Sequence, residues 1–365
     1  MKTVLIAHNY SKNSFAIMSY NLAHYLADLG YRVIFISHKP YFEKKEIVKK
    51  EKGEIIIYSW PTKKRPTSIK DFIWYAKIYL KYKPEVIIGH FVGSNITAIV
   101  SKTLSFGKVK TLVYYHTLYN QIVSDSRGES IKQKILNIRK KWYYYFVCDI
   151  VVCPSAMAKK DLLNYFSAKN GVVVLNPMAD RFVSKIPISN ENIIISYLGR
   201  LDISKGVFDL IEAFNSYKEK KMNSKIILNI AGSGSQESEI VEIIKDNSSV
   251  IFLGALSYEK IDDYLNKSHF TIISSKFDNL PTVGLESLMN KTPLLISNST
   301  GLTNYLTDEN DCFKFDSNLD SLIKVFEKVE ANFNSHQVMS ENARKTYEEK
   351  FTLSDYCANM LELIK

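Results

Sequence analysis

The chain has only four cysteines, and no two of them form a Cys-x-x-Cys pair. That spacing argues against a zinc ribbon and offers no disulfide framework, so buried free thiols in a reducing compartment are the expected state. No apolar run nears the roughly 18 residues that cross a bilayer as a helix. A single lysine precedes a short apolar run at the N-terminus, MKTVLIAH, which is too short for a secretory core and reads as a first β-strand. Walker A and Asp-x-Asp motifs are missing, so neither a metal-bound nucleotide nor a resident cofactor is indicated. The Gly-x-Gly-x-x-Gly dinucleotide fingerprint fails at its third glycine, because Glu237 stands there. No nucleic-acid motif accompanies the basic residues.

What is present describes an ordinary globular protein of 365 residues, 46% hydrophobic and 24% charged. That length exceeds one small core and predicts two domains. The net charge of +10 is uneven, +16 over residues 1–180 and −6 over 181–365. The basic half interleaves cations with aromatics in PTKKRPTSIKDFIWYAKIYLKYKP (61–84) and IKQKILNIRKKWYYYF (131–146). Such a mixture fits an anionic membrane surface, where charge attracts and rings sit at headgroup level. A solvated lysine face and nucleic acid are the competing readings.

Strands and helices alternate from end to end. TVLIA (3–7), RVIFIS (32–37), EIIIYS (54–59), EVIIGH (85–90), KTLVYYH (110–116), DIVVCPS (149–155) and GVVVL (171–175) read as strands, with helices at 15–30, 69–82, 94–105 and 131–146. The polar, proline-containing stretch 176–192 reads as a linker, after which the alternation restarts from NIIISYLG (192–199). Short apolar strands separated by helices mean a parallel sheet covered on both faces. Two doubly wound α/β domains are therefore expected, 1–180 and 181–350, facing a central cleft. A last helix, broken near Phe351–Leu353, is expected to return over about 352–365 to the first domain. Ligands in such sheets bind beyond the carboxyl ends of the strands.

Three motifs carry chemistry. In SSKFDNLPTVGLESLMNKTPLLIS (274–297), Asp278 lies in a loop before a helix that opens near Thr282, and Glu286 sits one turn in. Pro281 is tolerated at such a start, whose amides and dipole favour an anion. The carboxylate further along suits a neutral polyol, and together these point to a phosphorylated sugar or a nucleotide sugar. In SYLGRLDISKGVFDLIEAF (196–214), Gly199 ends a strand and Arg200 and Lys205 precede a helix, an arrangement fit for a diphosphate. Two surface cations near a helix start are the alternative. NIAGSGSQESEI (229–240) makes a Gly-x-Gly turn, where Gly234 permits close backbone approach to a ligand. His116 closes the strand KTLVYYH and is a candidate for the same cleft.

LGRLDISKG, IAGSGSQ, VIFLGALS and DNLPTVGLESLMNKTPLLIS, in this order and spacing, together with CPSAMAKKDL (153–162) and VLNPMADRF (174–182), resemble the GT-B retaining glycosyltransferases of family 4. The resemblance covers 150–316 strongly and 1–149 weakly. It implies that Asp278 and Glu286 stand for the family's pair of acids, one beside the donor sugar and one on the nucleotide ribose. It implies that Arg200 and Lys205 hold the donor diphosphate and that His116 lies near the transferred sugar. Asn279, Leu280, Thr282 and Val283 would offer amides to donor sugar and phosphates. Four departures stand out: Asp278 is shorter than the family's glutamate, the 8–15 loop lacks the glycines usual there, Lys291 replaces a glycine, and Asn304 replaces a glutamate.

The expected activity is metal-independent transfer of a sugar from a nucleotide-diphosphate donor, with uridine favoured, to a glycan or lipid-linked glycan in bacterial surface-polysaccharide synthesis. The donor and the acceptor are the expected partners, with possible peripheral contact at the cytoplasmic membrane face and no nucleic acid. A non-catalytic glycan-assembly partner and a nucleotide-sugar 2-epimerase are the alternatives.

Overall fold

The structure is a computed structural model that describes every residue except 10–15, 39–41, 43, 44, 63–65, 92 and 126–130. Most of the departing loop at 8–15 therefore lies outside the described residues. The chain divides into two compact units, residues 1–116, 130–176 and 353–365 in the first and 117–129 and 177–352 in the second. The expected boundary at 180 is thus redrawn. Residues 117–129 go with the second unit because the helix Tyr119–Asp125 packs on the turn Ile203–Lys205.

The strands of the first unit are β1 (Thr3–Ala7), β2 (Arg32–Ser37), β3 (Glu46–Lys49), β4 (Glu54–Ser59), β5 (Val86–Gly89), β6 (Lys110–Tyr114), β7 (Ile150–Cys153) and β8 (Gly171–Val173). They pair in the order β3-β4-β2-β1-β5-β6-β7-β8, and only β3 runs antiparallel to its neighbour. β1 is buried along its whole length and β2 beyond Arg32, so runs of Val, Ile and Phe with no polar alternation are what these positions require. α1 (Ile17–Asp28) covers one face. α2 (Ile69–Tyr82) and α3 (Gly93–Leu104) pack together on the other, where Trp60, Tyr75 and Ile78 are buried. Ser68 and Asp71 cap α2 reciprocally, the Ser68 amide donating to Asp71 Oδ2 at 2.9 Å, which fixes its start. α4 is the helix Tyr119–Asp125 of the second unit; α5 (Ile131–Phe146) and α6 (Ala156–Phe166) complete the amino-terminal half.

The second unit carries β9 (Ile193–Leu198), β10 (Ile226–Ala231), β11 (Val250–Phe252), β12 (Phe270–Ile273), β13 (Leu294–Ser297) and β14 (Cys312–Phe315), all parallel, in the order β11-β10-β9-β12-β13-β14. Its helices are α7 (Val207–Lys220), α8 (Glu237–Ile244), α9 (Ile261–Asn266), α10 (Thr282–Met289), α11 (Leu319–Ala331) and α12 (His336–Lys350). Phe214 and Tyr217 of α7 pack on Phe326 of α11 in the larger core.

α13 (Leu353–Ile364) rejoins the first unit. Tyr356, Cys357, Met360 and Ile364 share a core with α1, and Lys2 Nζ donates to the Ile364 carbonyl at 2.9 Å. All four cysteines are buried as free thiols. Both units are doubly wound parallel sheets, the architecture of GT-B proteins. Each has a switch point where the winding reverses, between β1 and β5 in one and between β9 and β12 in the other.

Candidate functional site

The strand ends at the second switch point are drawn together by glycines. Gly199 N donates to Ala231 O at 3.1 Å and Leu201 N to Ser233 O at 2.9 Å, which lays the loop after β9 on the loop after β10. A β-carbon at Gly232, whose φ is +150°, would stand 1.8 Å from Gly199 O, and one at Gly234 would stand 2.5 Å from Leu201 O. Gly234 therefore serves the seating of these two loops on each other. Gly206 (φ +65°) starts α7, where a β-carbon would meet Ser274 O at 2.4 Å. That approach brings the β9 and β12 loops side by side.

Between them lies a cavity of about 310 Å³ lined by Gly199, Arg200, Lys205, Asp278, Leu280, Thr282 and Val283, with Tyr197, Ser275 and Pro281. The motifs around 200 and 280, far apart in sequence, thus form one site. Thr282 and Val283 open α10, where the N-cap Pro281 supplies no side-chain cap and no acid occupies the first turn. First-turn amides have no intrahelical acceptor, so this end carries partial positive charge toward an anion. Asn279 is buried beside the cavity without lining it.

Both cations at this site are paired with acids. Lys205 Nζ lies 2.5 Å from Asp278 Oδ2, and both side chains are largely buried. Arg200, more than half exposed, bonds to Asp202 and reaches Asp125 Oδ2 of α4 at 3.4 Å. Tyr197, whose hydroxyl donates to Arg200 O at 2.7 Å, is held well above the usual phenol range by burial and by Asp278. A buried charge without a partner is costly, so Asp278 keeps Lys205 in place. A diphosphate with more charge than one carboxylate can replace it as the partner of either cation.

Glu286 does not line this cavity. Its carboxylate is buried on α10 and accepts from Arg181 Nη2 at 3.3 Å. Arg181 forks onto Asp262, Nε to Oδ2 at 2.7 Å and Nη2 to Oδ1 at 2.9 Å, and donates through Nη1 to Tyr258 Oη at 2.7 Å. Burial pushes the Glu286 carboxyl up to about 7, with Arg181 opposing and Asp262 adding to the rise. Arg181, Tyr258 and Asp262 escaped the sequence reading. Arg181 lies inside the VLNPMADRF segment, which is the one signal that could have found it.

His116 lies in the first unit, at that sheet's switch-point edge. It stacks on Phe91 with ring centroids 4.3 Å apart, and its Nε2 is 3.1 Å from His90 Nδ1. His90 stacks on Tyr114 at 3.9 Å and on His8 at 4.0 Å, and Ser19 Oγ joins His8 Nδ1 (2.7 Å) to His90 Nε2 (3.1 Å). Burial lowers all three imidazoles, His116 to about 3, so they are neutral at physiological pH. His8 and His90 were also missed, although TVLIAH, EVIIGH and KTLVYYH each end in histidine. Because β1, β5 and β6 are adjacent and in register, Ala7 opposite Gly89 and Gly89 opposite Val113, those endings converge.

Two departures find physical reasons or places. Lys291 adopts φ +54° just after α10, the left-handed position that usually takes glycine, and its Nζ binds Glu341 at 2.7 Å and 2.9 Å. Asn304 is exposed on the 3-10 turn Gly301–Tyr305.

Residues 178–346 match the family described as Glycosyl transferases group 1, and residues 16–181 match Glycosyltransferase Family 4. Glycosyltransferase MJ1607 of Methanocaldococcus jannaschii is 24% identical over 296 residues, 76% of this chain and 72% of that protein. The capsular polysaccharide biosynthesis glycosyltransferase CapM of Staphylococcus aureus is 21% identical over 246 residues, 61% of this chain and 63% of CapM. Among solved structures, sucrose-phosphate synthase from Thermosynechococcus elongatus superposes with a TM-score of 0.77 at 15% identity, covering 100% of this chain and 98% of that one. HepE of Anabaena, solved in complex with UDP, superposes at 0.73 and 12% identity over 100% and 99%. With both halves matched and the fold shared, the chain belongs to family 4 of the GT-B glycosyltransferases.

Proposed function

We propose that the chain transfers a sugar from a UDP-sugar to a hydroxyl of a glycan or lipid-linked glycan during surface-polysaccharide assembly, with retention at the anomeric carbon. The observation that carries this reading is the cavity at the β9/β12 switch point, where Arg200, Lys205 and the start of α10 converge. HepE, solved with UDP and with UDP-glucose, supports the uridine donor, and CapM supports the capsular setting.

In this reading the bond between the anomeric carbon and the diphosphate oxygen breaks, and a bond from that carbon to the acceptor oxygen forms. The acceptor's proton passes to the leaving diphosphate. Negative charge grows on that diphosphate, and two cations with helix-start amides stabilise it without a metal ion. The donor displaces Asp278 from Lys205, so Lys205 meets phosphate and Asp278 turns to the sugar's hydroxyls. His116, as a neutral imidazole, donates or accepts one hydrogen bond to the sugar. Glu286 takes the ribose diol; those hydroxyls favour its carboxylate form, so donor affinity rises as pH passes through about 7. The basic first half favours an acceptor held at an anionic, cytoplasmic membrane face.

The test is a thermal-shift panel of UDP-, GDP- and ADP-sugars on wild type and Glu286→Ala, followed by UDP release with candidate acceptors. A shift with UDP-sugars alone, lost in Glu286→Ala, is expected. A shift with another base instead overturns the uridine assignment, and binding without any UDP release overturns the transferase reading.

A further inference from the structure

Helix α5 presents to solvent the face that a helix of a globular protein normally buries. At about 100° per residue, Ile131, Ile135, Ile138, Trp142, Tyr145 and Phe146 fall on one arc about 100° wide. All six are exposed, from 58% at Ile135 to 78% at Ile131. Trp142 stacks on Phe146 at 5.0 Å and Tyr145 meets the same ring edge-on at 4.7 Å, so the aromatic end of the arc is already ordered. The exposed cations Lys134 and Lys141 border one side of the arc and exposed Arg139 the other. The opposite face is mixed, with Tyr144 buried, Gln133 donating to Asn137 at 3.2 Å, and Lys140 over the Phe166 ring at 5.9 Å. The apolar surface continues beyond α5. A cavity of about 460 Å³ joins Trp142 and Phe146 to Ile99 of α3. Beyond α3, α2 exposes Ile69, Ile73 and Leu80 among Lys70, Lys77 and Lys81.

We propose that α5 lies in the plane of an anionic bilayer, its apolar arc in the boundary between headgroups and acyl chains and its bordering cations on lipid phosphates. The proposal rests on the peripheral-membrane reading above and names the element that executes it. Charge selects this occupant over a second copy of the chain. Residues 131–146 contain no acid, so two such helices facing each other would oppose cation to cation with no counter-charge. No helix of the described residues is long and apolar enough to cross a membrane, so attachment of this kind is lateral.

The experiment is co-sedimentation of the full chain with phosphatidylglycerol–phosphatidylcholine vesicles at low salt, comparing wild type with the double variant Ile138→Ser/Trp142→Ser. Both positions are exposed, so an unchanged Tm certifies the fold of the variant. Wild type is expected to sediment, and its tryptophan emission to shift blue, because Trp142 enters the interface while Trp60 stays buried. The double variant is expected to bind at least about tenfold more weakly while still binding donor. Wild type that fails to bind anionic vesicles overturns the peripheral-membrane reading and the proposal with it. Equal binding by wild type and variant overturns the role of α5 alone. Concentration-dependent self-association that the variant abolishes also overturns it, assigning the arc to a second copy.

Discussion

The two switch points occupy equivalent positions in two similar sheets and handle polarity in opposite ways. Beyond β1, β5 and β6 the strand ends hold two buried imidazoles, His8 and His90, and the half-buried His116, joined to one another and to Ser19, all neutral. Beyond β9 and β12 they hold Arg200 and Lys205, each paired with acids, beside the start of α10. The presence of a counter-ion decides the difference. An imidazole among rings with no acid beside it gives up its charge, whereas a largely buried lysine keeps its charge beside a carboxylate. The fold thus leaves one edge uncharged and gives the other paired charges.

The comparison breaks first if the charged edge can lose its charge without consequence. Lys205→Ala and Arg200→Ala are each expected to lower kcat by about 10²–10³-fold, as removing one preorganised donor does elsewhere, measured as acceptor-dependent release of nucleotide. Near-wild-type turnover in both variants would mean that the cavity is not where the leaving group sits.

Arg181→Ala probes the neighbouring charge cluster. It strands Glu286 and Asp262 with one cation too few, and the expected cost is about 3 kcal/mol of stability, read as a lowered Tm. An unchanged Tm would show that water replaces the guanidinium freely.

Proton binding sharpens the contrast between the edges. Glu286 holds its proton to about pH 7 in the folded chain against an ordinary value of 4.5. The folded state therefore binds more protons than the unfolded state between those values, so the stability this group contributes is full below about 4.5 and is lost as pH rises through 7. Glu286→Gln is expected to flatten that slope, by about 3 kcal/mol across the window at 1.36 kcal/mol per pKa unit, in denaturant melts taken at several pH values. The histidine edge is expected to be silent, with no inflection from His116 between pH 5 and 8 in the rate profile, because it loses its proton at about 3. An inflection near 6.5 that vanishes in His116→Gln would contradict this. The smallest effect is at Tyr356→Phe, which removes the 2.6 Å hydroxyl bond to Tyr114 beneath His90 and costs about 1 kcal/mol.

Much of this was legible from residues alone. The helix 69–82, the strands 32–37 and 54–59 and the helix start at Thr282 are as the pattern predicts, because apolar runs and Pro281 are local signals. The cavity was legible too, since strand ends of a parallel sheet meet at a switch point wherever their sequences lie. β3 was missed: EIVK is short, charged and mostly exposed, as edge strands are, and carries no apolar periodicity. Gly234 suggested ligand approach, whereas its space is taken by the Leu201 backbone, a contact that no one-dimensional spacing encodes. The pairing of Asp278 with Lys205, and of Glu286 with Arg181, likewise depends on side-chain reach across 73 and 105 positions.

The return of α13 to the first unit has a consequence for the order in which the molecule can be made. The core shared by α1 and β1 needs Tyr356, Met360 and Ile364, which leave the ribosome after every residue of the second unit has been synthesised. The second unit can close its own sheet while the first waits with an apolar flank uncovered. The half made first is therefore the half finished last. Its closure joins Lys2 to Ile364, 362 positions apart, rather than neighbours in a local helix or turn.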